Sequence, residues 1–143
     1  QYVVFIDVFF ALTTDSKKVI VSAINHGLSY NALDFVTAEA DPDKLVTPVV
    51  CNYQLSIAVS ETTEAFKHQG GTGLLFHRSG LLLAKGVKAP LSIVNSSDTC
   101  MFIGGGENES PAIWAYQSNS YIKISTTAID SSNFLRIWLM YAN

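Results

Sequence analysis

Hydrophobic and polar side chains alternate along most of this chain. In Tyr53–Ser60 every second residue is large and apolar, and the residues between them are small or polar. A period of two is typical of a strand with one buried face. The same alternation occurs in three further segments: Lys18–Ile24, Leu91–Val94 and Ser120–Ala128. These segments therefore predict β-strands that each contribute one face to a core.

Two segments are apolar on both faces, Tyr2–Phe10 and Phe134–Tyr141. A strand of this kind has one face in the core and the other covered as well. The cover is a second sheet, a loop or a neighbouring subunit. First and last strands often pair at the centre of a jelly roll, so we expect these segments to do so. They are also the best candidates for a subunit interface.

Turn signals separate the apolar segments at short, regular spacing. Leu74–Leu83 predicts a hairpin around Ser79-Gly80, and Thr62–His68 predicts a single helical turn. Gly104-Gly105-Gly106 predicts a flexible turn loop, and no internal repeat is evident. Many short strands with few helices predict an all-β fold, an antiparallel β-sandwich of the jelly-roll type. We expect residues 1–143 to form one such domain.

The composition argues against several classes of protein. Of 143 residues only 15% are charged, and 48% are hydrophobic. No apolar run approaches the roughly 20 residues of a membrane-spanning helix, so membrane insertion is not expected. The net charge is −3 and no basic block occurs, which argues against nucleic-acid binding. The low charge favours a homo-oligomer that hides apolar surface over a monomer with a large core.

Candidate catalytic and metal-binding residues are sparse. The three histidines lack close metal-ligand spacing, and Gly-x-Ser-x-Gly is absent. The pairs Glu61 with Glu64 and Glu107 with Glu109 lie in polar segments, where solvated carboxylates are expected. Cys51 and Cys100 are either bridged or two buried thiols. We therefore predict no enzyme, no metal and no cofactor.

The strongest candidate for ligand binding is aromatic. Trp114 and Tyr116 are two residues apart on one predicted strand face, and Tyr121 follows after a short turn. Glu107 and Asn108 precede them in a polar loop. Aromatic rings beside polar groups suit a sugar, whereas Trp and Tyr also anchor protein interfaces and fill cores. Core packing, an interface and sugar stacking all remain open for these five residues.

The order of the predicted elements resembles that of a known superfamily. An apolar first strand is followed by Val49–Val59 after Pro48, the hairpin at Leu74–Leu83, the strand Ser120–Ala128 and an aromatic-rich last strand at Asn133–Tyr141. This layout resembles the trimeric jelly-roll heads of the complement-globular-head and tumour-necrosis-factor superfamily. It is equally similar to viral and phage fibre heads.

The resemblance implies a non-catalytic homotrimeric head, extracellular or on a virion surface. Such a head would bind a cell-surface receptor or a glycan through its loops, as a lectin does, and would gain affinity from multivalency. Two other functions stay open. One is a coat, capsid or decoration protein that acts through assembly. The other is a hydrolase with scattered carboxylate or histidine residues.

Overall fold

Three antiparallel sheets follow one another along the chain. The computed structural model describes residues 2–14, 18–38, 47–70, 75–96, 99–117 and 120–131. The first sheet comprises β1 (Val3–Ile6), β2 (Phe9–Thr13), β3 (Lys18–Ala23) and β4 (His26–Thr37). The second comprises β5 (Thr47–Cys51), β6 (Gln54–Ala58), β7 (Thr63–His68) and β8 (Phe76–Leu83). The third comprises β9 (Gly86–Val87), β10 (Val94–Ser96), β11 (Thr99–Gly105), β12 (Ala112–Gln117) and β13 (Ser120–Lys123).

The predicted first strand Tyr2–Phe10 is in fact two strands of the first sheet. β1 and β2 pair antiparallel, with Ile6 opposite Phe9. The turn between them places Asp7 in the left-handed region, at φ 53°. Asp tolerates this conformation better than most residues, since its short polar side chain can hydrogen-bond locally. The apolar pattern continues through the turn, so it could not show where one strand ends and the next begins.

The predicted hairpin at Leu74–Leu83 is the single strand β8. Its pairing with β7 shifts between Glu64 and Phe66, so extra residues of β8 are accommodated in a bulge. Gly80 lies there with φ 78°, and the Ser79 hydroxyl donates to the Ala65 carbonyl at 2.9 Å. Ser-Gly therefore marks a bulge here instead of a turn.

The predicted helical turn at Thr62–His68 is strand β7. Phe66 is opposite Leu55 and Ala65 is opposite Ser56, so successive side chains point to the two faces of the second sheet. Both faces are covered by neighbouring sheets, and this burial outweighs the weak local signal for a helix. The predicted strand Ser120–Ala128 is a strand only over Ser120–Lys123, and a short helix, α1 (Thr127–Asp130), begins before its predicted end.

The first strand of the third sheet is interrupted, because β9 and β10 both pair with β11 around a 3-10 helix, Pro90–Ser92. The Ser92 hydroxyl accepts a hydrogen bond from the Ile103 N–H at 2.8 Å, in place of the missing strand. Gly104 is part of β11, not of a flexible loop. A Cβ at Gly104 would lie 1.9 Å from the Gly86 carbonyl oxygen, so this close approach requires glycine.

Two apolar clusters join the sheets. The first lies between the first and second sheets and is formed by Ile6, Phe9, Ala11, Val19, Val21, Val36, Leu55, Ile57, Phe66 and Phe76. The second lies between the second and third sheets and is formed by Cys51, Ala58, Leu83, Val87, Cys100, Phe102 and Tyr116. The second sheet is therefore covered on both faces, which makes it the centre of a row of three.

The prediction of an all-β antiparallel fold is confirmed. The jelly-roll arrangement is not confirmed, because the first two sheets are meanders of consecutive strands and the third departs from one only where β9 pairs with β11. A jelly roll is built from Greek keys, in which strands exchange between two sheets. Consecutive four-stranded meanders are the repeating unit of β-propellers. The predicted last strand, Phe134–Tyr141, lies outside the described residues, so its pairing with the first strand stays a prediction.

Candidate functional site

The predicted aromatic site lies on the face of the third sheet that points toward the second sheet. Trp114 is opposite Phe102, and Tyr116 is opposite Tyr121, so alternation places all four rings on one face. The ring centroid of Tyr121 lies 5.5 Å from that of Phe102, 5.3 Å from that of Tyr116 and 6.5 Å from that of Trp114. The structure thus brings together the three aromatic residues singled out in the sequence, with Tyr121 at their centre.

The two tyrosines of this cluster are packed into the protein. Tyr116 is 4% exposed, and burial raises the pKa of its hydroxyl. Burial likewise raises the pKa of Tyr121 to about 12. The Tyr121 hydroxyl lies 3.4 Å from the Lys85 carbonyl, to which it donates. The cavity beside the two rings measures about 20 Å³. A cavity of this size has room for one water molecule, not for a sugar ring.

Trp114 is more accessible, but its ring face is already occupied. The Lys85 ammonium lies 4.5 Å from the centre of the Trp114 ring, as in a cation–π contact. The indole N–H donates to the Gly104 carbonyl at 3.0 Å. Lys85 also forms a salt bridge with Glu109. The chain's own lysine therefore lies on the ring face onto which a sugar would stack.

Glu109 holds the loop between β11 and β12 against this cluster. Hydrogen bonds from the Lys85 ammonium and from the Gly106 N–H, the latter at 2.9 Å, lower the pKa of Glu109. The Lys88 ammonium donates to the Glu109 carbonyl at 2.9 Å. Glu107 and Asn108 are exposed at the tip of the same loop, where Asn108 has φ 57°. They lie at its solvent side, apart from the aromatic rings.

Sequence reasoning missed Lys85 as a member of this group and treated Glu109 as a solvated carboxylate. Lys85 lies in the link between the second and third sheets, 24 residues before Glu109, and neither residue stands in a motif. Their pairing depends on how the sheets stack. Only a prior model of the stacking would have identified it.

A disulfide joins the second and third sheets beside the aromatic cluster. Cys51 at the end of β5 is bonded to Cys100 in β11, with 6.0 Å between their Cα atoms. Both residues are buried. The sequence left open whether the two cysteines are bridged, and the structure shows the bridge. It connects two separate sheets, so it acts across their interface.

The two sheets at the ends of the row each have a second apolar face. We call these the outer faces, because each points away from the second sheet. The outer face of the first sheet is formed by Val3, Phe5, Phe10, Leu12, Ile20 and Phe35. The outer face of the third sheet is formed by Val94, Met101, Ile113, Ala115 and Ile122. Phe5 and Ile122 are both 53% exposed, whereas soluble monomers rarely expose large contiguous apolar patches.

Among the described residues, no group of three or more His, Cys, Asp or Glu side chains is arranged to hold a metal ion. In the same part of the chain, no helix is both long enough and apolar enough to cross a membrane.

Comparison with known proteins identifies the family. No curated protein matches the chain. Residues 1–133 match the family model described as bacteriophage P22 Gp10, β-propeller, a family of phage structural proteins. The match agrees with two consecutive four-stranded meanders followed by a third sheet whose first strand is interrupted, and it supports a phage-related β protein. The resemblance to jelly-roll heads is not confirmed. Since the model covers most of the sequence, this chain belongs to the bacteriophage P22 Gp10 β-propeller family.

Proposed function

We propose that this protein is a structural component of a bacteriophage particle and that it works through assembly. We call the first, second and third sheets blades 1, 2 and 3. The observation that carries the proposal is the pair of outer faces, which lie on blades 1 and 3. Such apolar patches mark surfaces that pack against another protein surface. Membership in a family of phage structural proteins supports the phage particle as the setting for this packing.

The arrangement of carboxylates supports a non-catalytic role. A catalytic acid needs a raised pKa. Glu109 has a lowered pKa because the Lys85 ammonium and the Gly106 N–H donate to it. Burial works against ionisation of Asp130, but hydrogen bonds from Lys123 and Ser125 outweigh it, so its pKa is lowered too. Glu64 is buried and pairs with the Arg78 guanidinium at 3.1 Å. These three carboxylates therefore hold structure together.

Recognition of a receptor or a glycan, expected from the sequence, stays a prediction. Glu107 and Asn108 are exposed at the tip of the loop between β11 and β12 and are accessible to a partner. However, Lys85 occupies the Trp114 ring face, and Tyr116 is buried. A glycan array with the wild-type protein and Trp114→Ala tests this function directly. Binding that depends on Trp114 would support it, and an array without signal would remove it.

The assembly function is tested by following the protein into particles. Phage is grown with a tagged copy as its only source of this protein, and particles are purified by density gradient. We expect the tagged protein to be in intact particles and Phe5→Asp to be absent from them. Tyr53→Asp is the matched control, since Tyr53 is 90% exposed at the turn between β5 and β6. Wild-type protein that stays in the soluble fraction would contradict the proposal.

A further inference from the structure

The contact between blades 2 and 3 is held together by more than the bond between Cys51 and Cys100. The Asn95 side-chain amide donates to the Val50 carbonyl at 2.6 Å, right beside the bond, since Val50 precedes Cys51 and Asn95 is paired with Cys100. The second apolar cluster packs on the same contact. Without the bond, these contacts would still hold the two sulfurs side by side. With 6.0 Å between their Cα atoms, the two residues can be joined without movement of the backbone.

The surroundings of Cys100 suit a thiol as well as a disulfide. Its sulfur lies 3.4 Å from the Asn95 side-chain oxygen and 3.7 Å from the Val50 carbonyl oxygen. In the reduced protein either oxygen would accept a hydrogen bond from the Cys100 S–H, so a buried thiol is satisfied there. The same two oxygens disfavour a negatively charged sulfur at this position. The first reaction with an oxidant is therefore expected at Cys51.

Access to the two sulfurs selects small oxidants. Cys51 and Cys100 are 1% and 2% exposed, and both line the cavity of about 20 Å³ between blades 2 and 3. A water molecule needs roughly 10–15 Å³ of such space. Hydrogen peroxide, which is only one oxygen atom larger than water, can therefore approach the sulfurs, whereas a tripeptide disulfide such as oxidised glutathione is too large.

We infer that Cys51 and Cys100 form an oxidation site, which a peroxide closes after the protein has folded with two free thiols. The timing rests on the proposed function, because a phage protein is made and assembled in the host cytoplasm, where thiols are kept reduced. The released particle leaves that compartment. The bond is thus added to an interface that is already formed, and it strengthens that interface outside the cell.

The reaction balances in two steps. The Cys51 sulfur attacks one oxygen of hydrogen peroxide, the O–O bond breaks, and the leaving hydroxide takes the Cys51 proton, which gives a sulfenic acid and one water molecule. The Cys100 sulfur then attacks the Cys51 sulfur, the S–O bond breaks, and the leaving hydroxide takes the Cys100 proton to form a second water. The two thiols lose two electrons and two protons in total, and these reduce the peroxide to water.

Thiol counts on the isolated protein test the site. The chain is purified with reductant, freed of it and titrated with hydrogen peroxide, and free thiols are then alkylated in denaturant and located by mass spectrometry. We expect both thiols to disappear together at about one equivalent of peroxide, with circular dichroism of a folded protein before and after. A reduced chain that does not fold, or a folded chain that keeps both thiols in excess peroxide, would overturn the inference.

Two single substitutions test the order of the steps. Cys100→Ala leaves Cys51 without its partner, so peroxide should produce a sulfenic acid at Cys51, which dimedone labels once the protein is denatured. Cys51→Ala is the matched variant, and we expect its Cys100 to be oxidised about tenfold more slowly. Equal rates in the two variants would refute the assignment of the first step to Cys51.

The timing is tested on the phage itself. Infected cells are quenched in acid, and the thiols of the intracellular protein are compared with those of the protein in purified particles. We expect free thiols in the cells and the bond between Cys51 and Cys100 in the particles, whereas a bond already complete in the quenched cells would overturn the inference. Because the peroxide titration needs no phage, absence of the protein from particles would contradict the proposed function alone, and the titration would still decide the oxidation site.

Discussion

The two interfaces of blade 2 join equivalent sheets by different means. Its contact with blade 1 has the larger apolar cluster. The Arg78 side chain also reaches across this contact, where its guanidinium donates to the Thr37 carbonyl at 3.0 Å. Its contact with blade 3 has smaller residues such as Ala58 and adds the Cys51–Cys100 bond. The stacking of meanders therefore does not require one particular chemistry. The contact between blades 2 and 3 has the smaller apolar cluster, and there a covalent bond and polar contacts at the rim add to the stabilisation.

The largest predicted effect is on the contact between blades 1 and 2. Phe66→Ala removes a ring that is 2% exposed and faces Leu55, so we expect the free energy of unfolding to fall by about 4 kcal/mol. Urea unfolding followed by circular dichroism measures the loss. Leu82→Ala, at a side chain of the same blade that is 54% exposed, should change it by less than about 1 kcal/mol. Equal losses in the two variants would refute the assigned core.

The next effect isolates the covalent part of the other interface. Replacing Cys51 and Cys100 together with Ala opens a connection across 49 residues and should lower the free energy of unfolding by about 3 kcal/mol. Amide hydrogen exchange should accelerate more in blade 3 than in blade 1, because the bond joins blades 2 and 3. Wild-type protein with reductant is the matched comparison. Uniform acceleration in all blades would show that the bond does not act locally.

A smaller effect concerns the ion pair that reaches blade 1. Arg78→Met withdraws the guanidinium from the buried Glu64 carboxylate and from the Thr37 carbonyl, so we expect a loss of about 2 kcal/mol. Arg78→Lys keeps the charge but not the planar fork, and should recover only part of the loss. Both variants are compared with wild type by urea unfolding. A full recovery by lysine would mean that charge alone matters at this position.

The smallest effect is at the rim of the other interface and depends on pH. Hydrogen bonds from the Lys85 ammonium and the Gly106 N–H lower the pKa of Glu109 in the folded protein. The ionised carboxylate therefore stabilises the fold at pH values above the pKa of a glutamate in the unfolded chain, roughly 4.3. That contribution is lost as the pH falls through the lowered, folded-state pKa. Because the side chain is 43% exposed, solvent screening keeps the cost of Glu109→Gln at pH 7 below about 1 kcal/mol.

Urea midpoints of wild type and Glu109→Gln at pH 7 and at pH 3 measure this dependence. The difference between the two proteins should shrink at the lower pH, where the wild-type carboxylate begins to be protonated. Glu107→Gln, which neutralises an exposed carboxylate of the same loop, is the matched control. A difference that is the same at both pH values would exclude the carboxylate charge as its cause.

The sequence predicted the strand content because alternation is a local property. Lys18–Ile24 was predicted as a strand, and β3 spans Lys18–Ala23. Alternation does not show the order of the strands within a sheet, since a meander and a jelly roll can be built from the same alternating segments. The blade repeat was also hidden, because the blades share a pairing pattern and not particular residues. The apolar pattern of Tyr2–Phe10 predicted a strand region whose two faces are both covered. In the structure Phe5 is 53% exposed, so one of these faces lacks a cover within the described chain.

A serine explains one of the wrong local predictions. Ser79-Gly80 was interpreted as a hairpin turn, yet Ser79, like two other serines of the described chain, bonds to a backbone group where the pairing of a sheet is interrupted. The Ser22 hydroxyl accepts from the Phe10 N–H at 2.9 Å, where the pairing of β3 with β4 shifts. Ser79 and Ser92 make comparable bonds to backbone groups at breaks in the other two sheets. A hydroxyl can replace a backbone partner at a bulge, but the sequence does not reveal which serine lies at one.

For the candidate site, the sequence identified the aromatic residues but not their surroundings. Trp114, Tyr116 and Tyr121 do meet, because two neighbouring strands place them in one register. What limits them as a binding site is Lys85, which comes from the link to another blade. Contacts between blades depend on the stacking of whole sheets, and no short segment of sequence encodes them.

The disulfide also decides how the chain would respond to mechanical load. A pulling force applied at the two ends would pass directly from Cys51 to Cys100 and would bypass the 49-residue separation between them. At about 3.4 Å per residue, the bond withholds roughly 160 Å of extensible chain from a tensile experiment. In the oxidised molecule, blade 1 and the chain after Cys100 would therefore unfold under force, while β6 to β10 would bear no load. A reduced molecule would release the additional length.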